Sequence, residues 1–421
     1  MTRTTVQPLR IVIMGQGYVG LPLAVCAAEA GHEVVGYDVD PDRIKTLLTG
    51  GTVTDDVPAE RIAPLLGAGR YRPSIDAADC AGFDLAVIAV PTPLADGAPD
   101  LTHVEEAAGT LGPHLRPGST VILESTSYPG TTEEVLVPLL EAASGLRAGA
   151  DYHLGYSPER TDPGNPRWRL ENTPKLVSGI DAASATVIED FYAGLVETMV
   201  PVASCRTAEL AKLIENTFRH VNIALVNELA TAANDAGLDI WSALDAAATK
   251  PFGFLRFTPG PGVGGHCLPT DPTYLSWHAE QATGRRLRLV DLANEINNDM
   301  PAYVVRRLSS ALRARDRPLA GADILLLGLA YKPETADLRE APALRIADLL
   351  ASEGAHVQAA DPHVTDAPLP LVDPTPERLA AADAVLLLTN HAAFDYSEIA
   401  THARYILDCR NRLSAPHIET L

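Results

Sequence analysis

A short apolar run, "RIVIMG", leads at once into the glycines of "GQGYVGLPLA", and a second apolar run, "EVVGYD", follows some twenty residues later. Few folds accommodate that order. The first run is a buried strand, the glycines make a turn with no room for side chains, and the apolar helix that follows packs back on the strand. A strand–helix–strand unit of this kind pairs its strands in parallel, and a parallel sheet must be covered by helices on both faces. "FDLAVIAVPTP" and "STVILEST" read as further strands of the same sheet, each ending in a polar loop.

Beyond this α/β segment, the stretch "AELAKLIENTFRHVNIALVNELATAANDAG" carries apolar residues at helical spacing and stops at a glycine, so it predicts one long helix. More helix follows to about Ser310, interrupted by "GPGVGGHCLPTDP", whose glycines and prolines spoil both helix and central strand. "RARDRPLAGAD" reads as a linker. The last hundred residues then echo the first: "AEAGHEVVGYD" matches "ASEGAHVQAAD", and "DILLLGLAYKP" stands where the first strand and turn stood, without the glycine pattern. The expected fold is α/β, with two Rossmann-like doubly wound parallel-sheet domains joined by a central long helix and helical domain. The expected boundaries are 1–204, 205–312 and 313–421.

Composition narrows the function class. A net charge of −21 argues against nucleic acid and anionic membranes as partners, though not against a small anion met by a local positive site. No apolar run is long enough to span a membrane, and the N-terminal segment enters a strand rather than resembling a signal peptide. Five scattered cysteines without a CxxC pair fit a reduced, cytoplasmic protein.

The turn Gly15-Gln16-Gly17-Tyr18-Val19-Gly20 follows a strand and opens a helix, as a dinucleotide site requires. Gly15 makes the tight turn, Gly17 lets the backbone approach a pyrophosphate, and Gly20 packs the helix on the strand. Asp38 ends the second strand, placed for the ribose hydroxyls, with no arginine directly after it, which favours NAD over NADP; Arg43 flanks the adenine side. The alternative is a purely structural glycine turn. Pro91-Thr92-Pro93 and the loop Ser125–Thr131, with Thr126, fall at strand ends, where they hold a ribose or water or else are plain turns. Glu159, in "YSPERTDPGN", is a general base or a solvated loop acid. Lys212 and Asn216 share a helix face, which is also what a salt-bridged surface with Glu209 and Glu215 would look like. Cys267 follows Gly260, Gly262, Gly264 and Gly265, whose N–H groups suit a phosphate cradle, and it reads as a nucleophile rather than a buried thiol. His266, Cys267 and Asp271 lack the ligand spacing of a zinc site, so no metal is expected.

Taken together, "GQGYVGLPLA", "PTP", "ESTSYPGTTEE", "YSPER", "AELAKLIENTFR", "PGPGVGGHCLPTDP" and "GLAYKPETADLRE" resemble, in that order, the UDP-glucose/GDP-mannose dehydrogenase family along nearly the whole chain. The resemblance implies a four-electron oxidation of a sugar C6 alcohol to the acid by two NAD, in a homodimer, without metal. It makes Cys267 the nucleophile, Lys212 with Asn216 the oxyanion stabiliser, Asp271 the group that positions Lys212 and a water, Glu159 the base for hydrolysis, and Thr126 a holder of water or cofactor. Tyr18, Val19, Pro91, Thr92 and Arg339 join the cofactor site. Arg160, Arg256, Phe257, Gly260, Gly264 and Lys332 join the UDP-sugar site. "YSPER" and "GGHC" resemble the branch acting on UDP-N-acetylhexosamines, from which Ser127, Thr161, Arg256 and Thr270 depart. UDP-glucose as substrate, a two-electron hydroxyacid-type dehydrogenase and a silent NAD-binding sensor are the alternatives.

Overall fold

The computed structural model describes residues 8–54, 56–162, 164, 165 and 167–421. The first seven residues, and Pro163 of the Tyr156–Asn165 motif, lie outside them. The chain packs as two compact units. One runs up to Glu215 and takes in Trp277–Gly284; the other comprises Asn216–Ser276 and Arg285–Leu421.

The first unit is built on an eight-stranded sheet of β1 (Arg10–Met14), β2 (Glu33–Tyr37), β3 (Tyr71–Ser74), β4 (Leu85–Ile88), β7 (Thr120–Leu123), β8 (His153–Tyr156), β9 (Lys175–Gly179) and β10 (Met199–Pro201). A small hairpin, β5 (Leu94–Ala95) with β6 (Ala98–Pro99), stands apart from it. The strand order is β10-β9-β8-β7-β4-β1-β2-β3, so the winding reverses beside β1. Alternate side chains of β1 enter different cores. Ile11 and Ile13 pack with Leu21 and Leu23 of the first helix, whereas Val12 and Met14 pack with Val104 and Leu111 on the opposite face. That double burial is the reason for the unbroken apolar runs in the sequence. The sheet is parallel except between β8 and β9, which are antiparallel. Among the described residues no crossover helix joins those two, and without one the chain returns in the opposite sense.

The long helix is Cys205–Asp235, and it closes at Gly237 with Leu238 N–H donating to the Ala233 carbonyl. Near its start, buried Glu209 accepts hydrogen bonds from Gly130 N–H (2.6 Å), Thr132 N–H (2.9 Å) and the Thr132 hydroxyl (2.7 Å). It therefore pins the Ser125–Thr131 loop and the helical turn after it. Glu215 pairs with Arg160 at 2.7 Å. The salt-bridged face that would have occupied Lys212 is thus not formed by these two acids.

The second unit carries a five-stranded parallel sheet in the order β12-β11-β13-β14-β15, from β11 (Asp323–Leu327), β12 (His356–Ala360), β13 (Ala384–Leu387), β14 (Ile406–Asp408) and β15 (Ile418–Thr420). It too is buried on both faces: Ile324 and Leu326 join one core, Leu325 and Leu327 the other. The expected echo of the first domain is present, on a smaller sheet.

Replacing Glu209 by Ala leaves the Gly130 and Thr132 N–H groups buried without acceptors. Thermal denaturation should show a loss of about 1–3 kcal/mol for each group left unpaired.

Candidate active site

At the reversal point of the first sheet, the chain leaving β1 passes so close to the chain leaving β4 that no side chain fits. A Cβ on Gly15, whose φ is +90°, would stand 2.5 Å from the Ala89 carbonyl oxygen, and one on Gly20 would stand 1.8 Å from the Gly15 oxygen. A Cβ on Gly17, by contrast, would meet nothing within 4 Å. The middle glycine therefore faces open space at the start of the helix Gly20–Glu29, where main-chain N–H groups and the helix dipole favour an anion. Asp38, just past β2, is buried; its carboxylate accepts from Gln16 N–H (2.7 Å) and pairs with Arg43 (2.8 Å). The acid and the glycine turn are one construction, with Arg43 locked beside it. At the ends of β4 and β7, the Thr92 hydroxyl donates to the Thr126 carbonyl (2.7 Å) and the Ser125 hydroxyl to that of Val90 (2.8 Å), so the two hydroxyl-rich loops are tied together.

Glu159 is no solvated loop acid. Its Oε1 accepts from Arg160 N–H (2.7 Å) and Thr161 N–H (2.6 Å), and its Oε2 lies 3.5 Å from the Lys175 ammonium. Burial on its own would raise this carboxyl. The Lys175 charge, the Thr161 hydrogen bonds and the Lys212 charge outweigh it and hold Glu159 below the usual carboxylate range. Lys212 is buried in the same unit.

In the second unit, Cys267 is exposed and is the first residue of the helix Cys267–Thr283. The expectation of a loop here needs correcting. The glycine segment ends at the cysteine, and Pro269 falls in the first turn, where a helix does not use its N–H. Four other cysteines are buried. Burial pushes the Cys80 thiol up to about 11 and the Cys205 thiol up to about 12, which leaves Cys267 as the exposed thiol. Asp271, buried one turn further on, accepts from the Asn216 amide at 2.5 Å.

The glycines before Cys267 allow a close approach of main chain to neighbouring groups. A Cβ on Gly264 would meet the Glu340 carbonyl at 2.7 Å, and one on Gly265 would meet the Tyr331 ring at 2.9 Å. Gly265 N–H donates to the Arg339 carbonyl and Gly260 N–H to the Asn227 side chain. The N–H groups of Gly260 and Gly265 are thus engaged within the protein, and at Gly264 and Gly265 the loop is thin enough to pack on the "AYKPETADLRE" segment. That packing brings Lys332, half-buried over Tyr331, and Arg339, paired with Asp337, to the same region. Phe257 meets Phe218 edge-on, while Arg256 pairs with Asp245 at the surface.

Family models cover most of the chain: the NAD binding domain of the UDP-glucose/GDP-mannose dehydrogenase family over residues 9–196, its central domain over 206–299 and its UDP binding domain over 325–415. The chain belongs to this family. It is an NAD-dependent nucleotide-sugar dehydrogenase. It is 35% identical over 416 residues to a UDP-N-acetyl-D-mannosamine dehydrogenase of Pyrococcus horikoshii, covering 97% of each chain. It is 40% identical over 361 residues to a UDP-N-acetyl-D-glucosamine 6-dehydrogenase of Pseudomonas aeruginosa, covering 85% of this chain and 83% of that one. The solved structure of a UDP-D-ManNAc dehydrogenase from P. horikoshii superposes with a TM-score of 0.90 at 34% identity, covering 98% of this chain and 99% of that chain.

In this dehydrogenase, sequence reading overlooked Lys175, Glu124 and Arg410. Arg410 lies just past β14, donates to the Leu388 carbonyl (2.6 Å) and stands against Gly260. Its signal was an arginine two residues past an apolar strand that ends in Asp408. Glu334, His363 and His391 bring possible ligand atoms within 4.8 Å of one another. However, both ring nitrogens of His391 are engaged, by Asp361 and by Glu334 N–H, each at 3.1 Å, so the cluster acts as a loop clasp. Among the described residues, no helix is long and apolar enough to cross a membrane.

Replacing Asp38 by Ala removes the carboxylate beside the glycine turn and leaves Gln16 N–H without its acceptor. The KM for NAD should rise at least about tenfold, the scale of hydrogen bonds to a charged group, and the preference over NADP should narrow in steady-state kinetics.

Proposed function

We propose that this enzyme oxidises the C6 alcohol of a UDP-N-acetylhexosamine to the carboxylate through a covalent adduct on Cys267. The observation that carries the reading is the exposure of that thiol at a helix N-terminus, where partial positive charge favours an anion. The acetamido sugar is supported by the "YSPER" and "GGHC" segments and by relatives whose names specify ManNAc and GlcNAc.

NAD, when bound, takes up one hydride in each of the two oxidations. Once the alcohol has become an aldehyde, the Cys267 thiolate adds to C6. The resulting thiohemiacetal carries the C–H that a second oxidation needs, and its oxidation leaves a thioester. Lys212 stabilises the oxyanions formed at C6. Asp271, tied to Asn216, orients a water. In hydrolysis the water oxygen bonds to the thioester carbon, its proton passes to Glu159, the C–S bond breaks, and the Cys267 thiolate is restored. Thr126 holds water or cofactor, and Lys332 and Arg339 contribute positive charge for the anionic ligands. The three segments 1–204, 205–312 and 313–421 divide this labour between cofactor, thiol and UDP.

A homodimer is part of the proposal. Leu210, Ile214, Phe218, Leu225 and Leu229 are exposed on the long helix. At about 100° per residue they fall within one arc of about 100°, an apolar stripe suited to a second copy. The cytoplasm, with its reducing chemistry, is the compartment that keeps an exposed nucleophilic thiol usable.

NADH counted per sugar across a panel of UDP-sugars tests the activity. Two NADH per UDP-GlcNAc or UDP-ManNAc are expected, with kcat/KM above that for UDP-glucose. One NADH, or a preference for UDP-glucose, overturns the corresponding part. Cys267→Ser should bind both ligands and keep its melting temperature while losing at least about 10³-fold in turnover. Phe218→Glu with Leu225→Glu should halve the mass seen by light scattering; an unchanged mass places the interface elsewhere.

A further inference from the structure

One buried cation in the first unit has no part in the chemistry above. Lys175, the first residue of β9, is 2% exposed. Its ammonium lies 2.7 Å from Glu124 Oε1, 3.5 Å from Glu159 Oε2, donates to the Pro158 carbonyl at 3.3 Å and sits 5.0 Å from the Tyr192 ring centroid. Glu124 directly follows β7 and is 1% exposed; the Tyr192 hydroxyl donates to it. Such a group is costly to bury, and a buried ion pair is weak evidence of a purely stabilising role.

We propose that Lys175 is a positioning residue for Glu159, holding the 158–161 segment and the orientation of its carboxylate through contacts with Pro158 and Glu159 Oε2. The inference rests on the role given to Glu159 above. Two main-chain N–H groups occupy Oε1, so Oε2 is the oxygen left to take a proton. Lys175 fixes where that oxygen points, and Glu124, clamped by Tyr192, fixes Lys175. The chain of contacts thus runs from the end of β7, through β9, to the base.

The same contacts set the charge. Glu159 faces Lys175 from β9, Lys212 from the long helix, Glu124 from the end of β7 and Tyr192 from the helix Ala182–Ala193, with the Arg160–Glu215 pair alongside. Burial works to raise Glu159; Lys175 is the largest influence against it. A carboxylate held low is ionised down to lower pH, so loss of Lys175 must move the acid limb of hydrolysis upward.

Three variants decide the matter: Lys175→Met, Lys175→Met with Glu124→Gln, and Glu159→Gln. Each is followed by NADH burst, slow-phase rate against pH, intact mass for a bound sugar, and melting temperature. Lys175→Met strands Glu124 and should melt early. The double variant removes the stranded charge and should recover most of the melting temperature; should the single variant not fold, the double is read alone. Its burst should persist, while its slow phase falls at least about tenfold with the acid limb about one unit or more higher and a sugar adduct on the chain. A double variant whose slow phase and acid limb match the wild type overturns the inference, because Lys175 then serves Glu124 alone. If Glu159→Gln itself turns over like the wild type, the role of Glu159 falls first. If it stalls after its burst while the double variant does not, only the role of Lys175 falls.

Discussion

The close passage of two chains at the reversal point of each sheet is the constraint on which the rest of this molecule depends. In the first sheet, Gly15 passes the Ala89 carbonyl, and Asp38 at the end of β2 grips the following N–H group. In the second sheet, a Cβ on Gly328 would stand 2.4 Å from the Thr389 carbonyl, and Asp361 at the end of β12 grips Leu329 and Ala330 N–H. The scaffold is repeated, yet the two crevices are chemically different. The first keeps Gly17 facing open space. The second puts Leu329 and Ala330 there and binds its carboxylate to His391, which with the main-chain N–H groups holds Asp361 well below the usual carboxylate range despite burial. One site is left able to admit a pyrophosphate, and the other is built for something else.

The acids around the first sheet show how local commitments decide what is left for chemistry. Glu209 is used up in holding the loop after β7, and Glu215 in holding Arg160. Lys212, which a salt-bridged helix surface would have absorbed, is thereby left facing Glu159. The thiol follows similar logic. The glycines preceding Cys267 let the chain lie against Tyr331 and Glu340, which in turn presents the cysteine at the start of a helix and places Asp271 one turn inside it, against Asn216.

Much of this was legible in the residues themselves. The Gly15–Gly20 turn, the alternation of strands with helices, the long helix ending at Gly237 and the echo in the last hundred residues all follow from local rules: a turn that excludes side chains, a sheet buried on both faces, a helical period. Cys267 could be singled out from its setting behind the glycines, whereas Glu159 and Lys212 stood out only through the resemblance to the family. Glu159 and Lys212 still kept a bland alternative, since a sequence does not say which partner a charge meets.

Those partners were settled only by the fold. The antiparallel return of β9 beside β8 puts Lys175 near Glu124 and Glu159, residues 51 and 16 positions earlier in the chain. The close approach made by the Gly264–Gly265 pair depends on Tyr331, more than sixty residues later. Sequence by itself determined the elements and the glycine turn, because short-range sterics and hydrophobic period act between neighbours. Which carboxylate is buried, which cation faces it and which N–H groups are already spent were decided by tertiary structure, because Coulomb and hydrogen-bond energies depend on distance in space and not on distance along the chain.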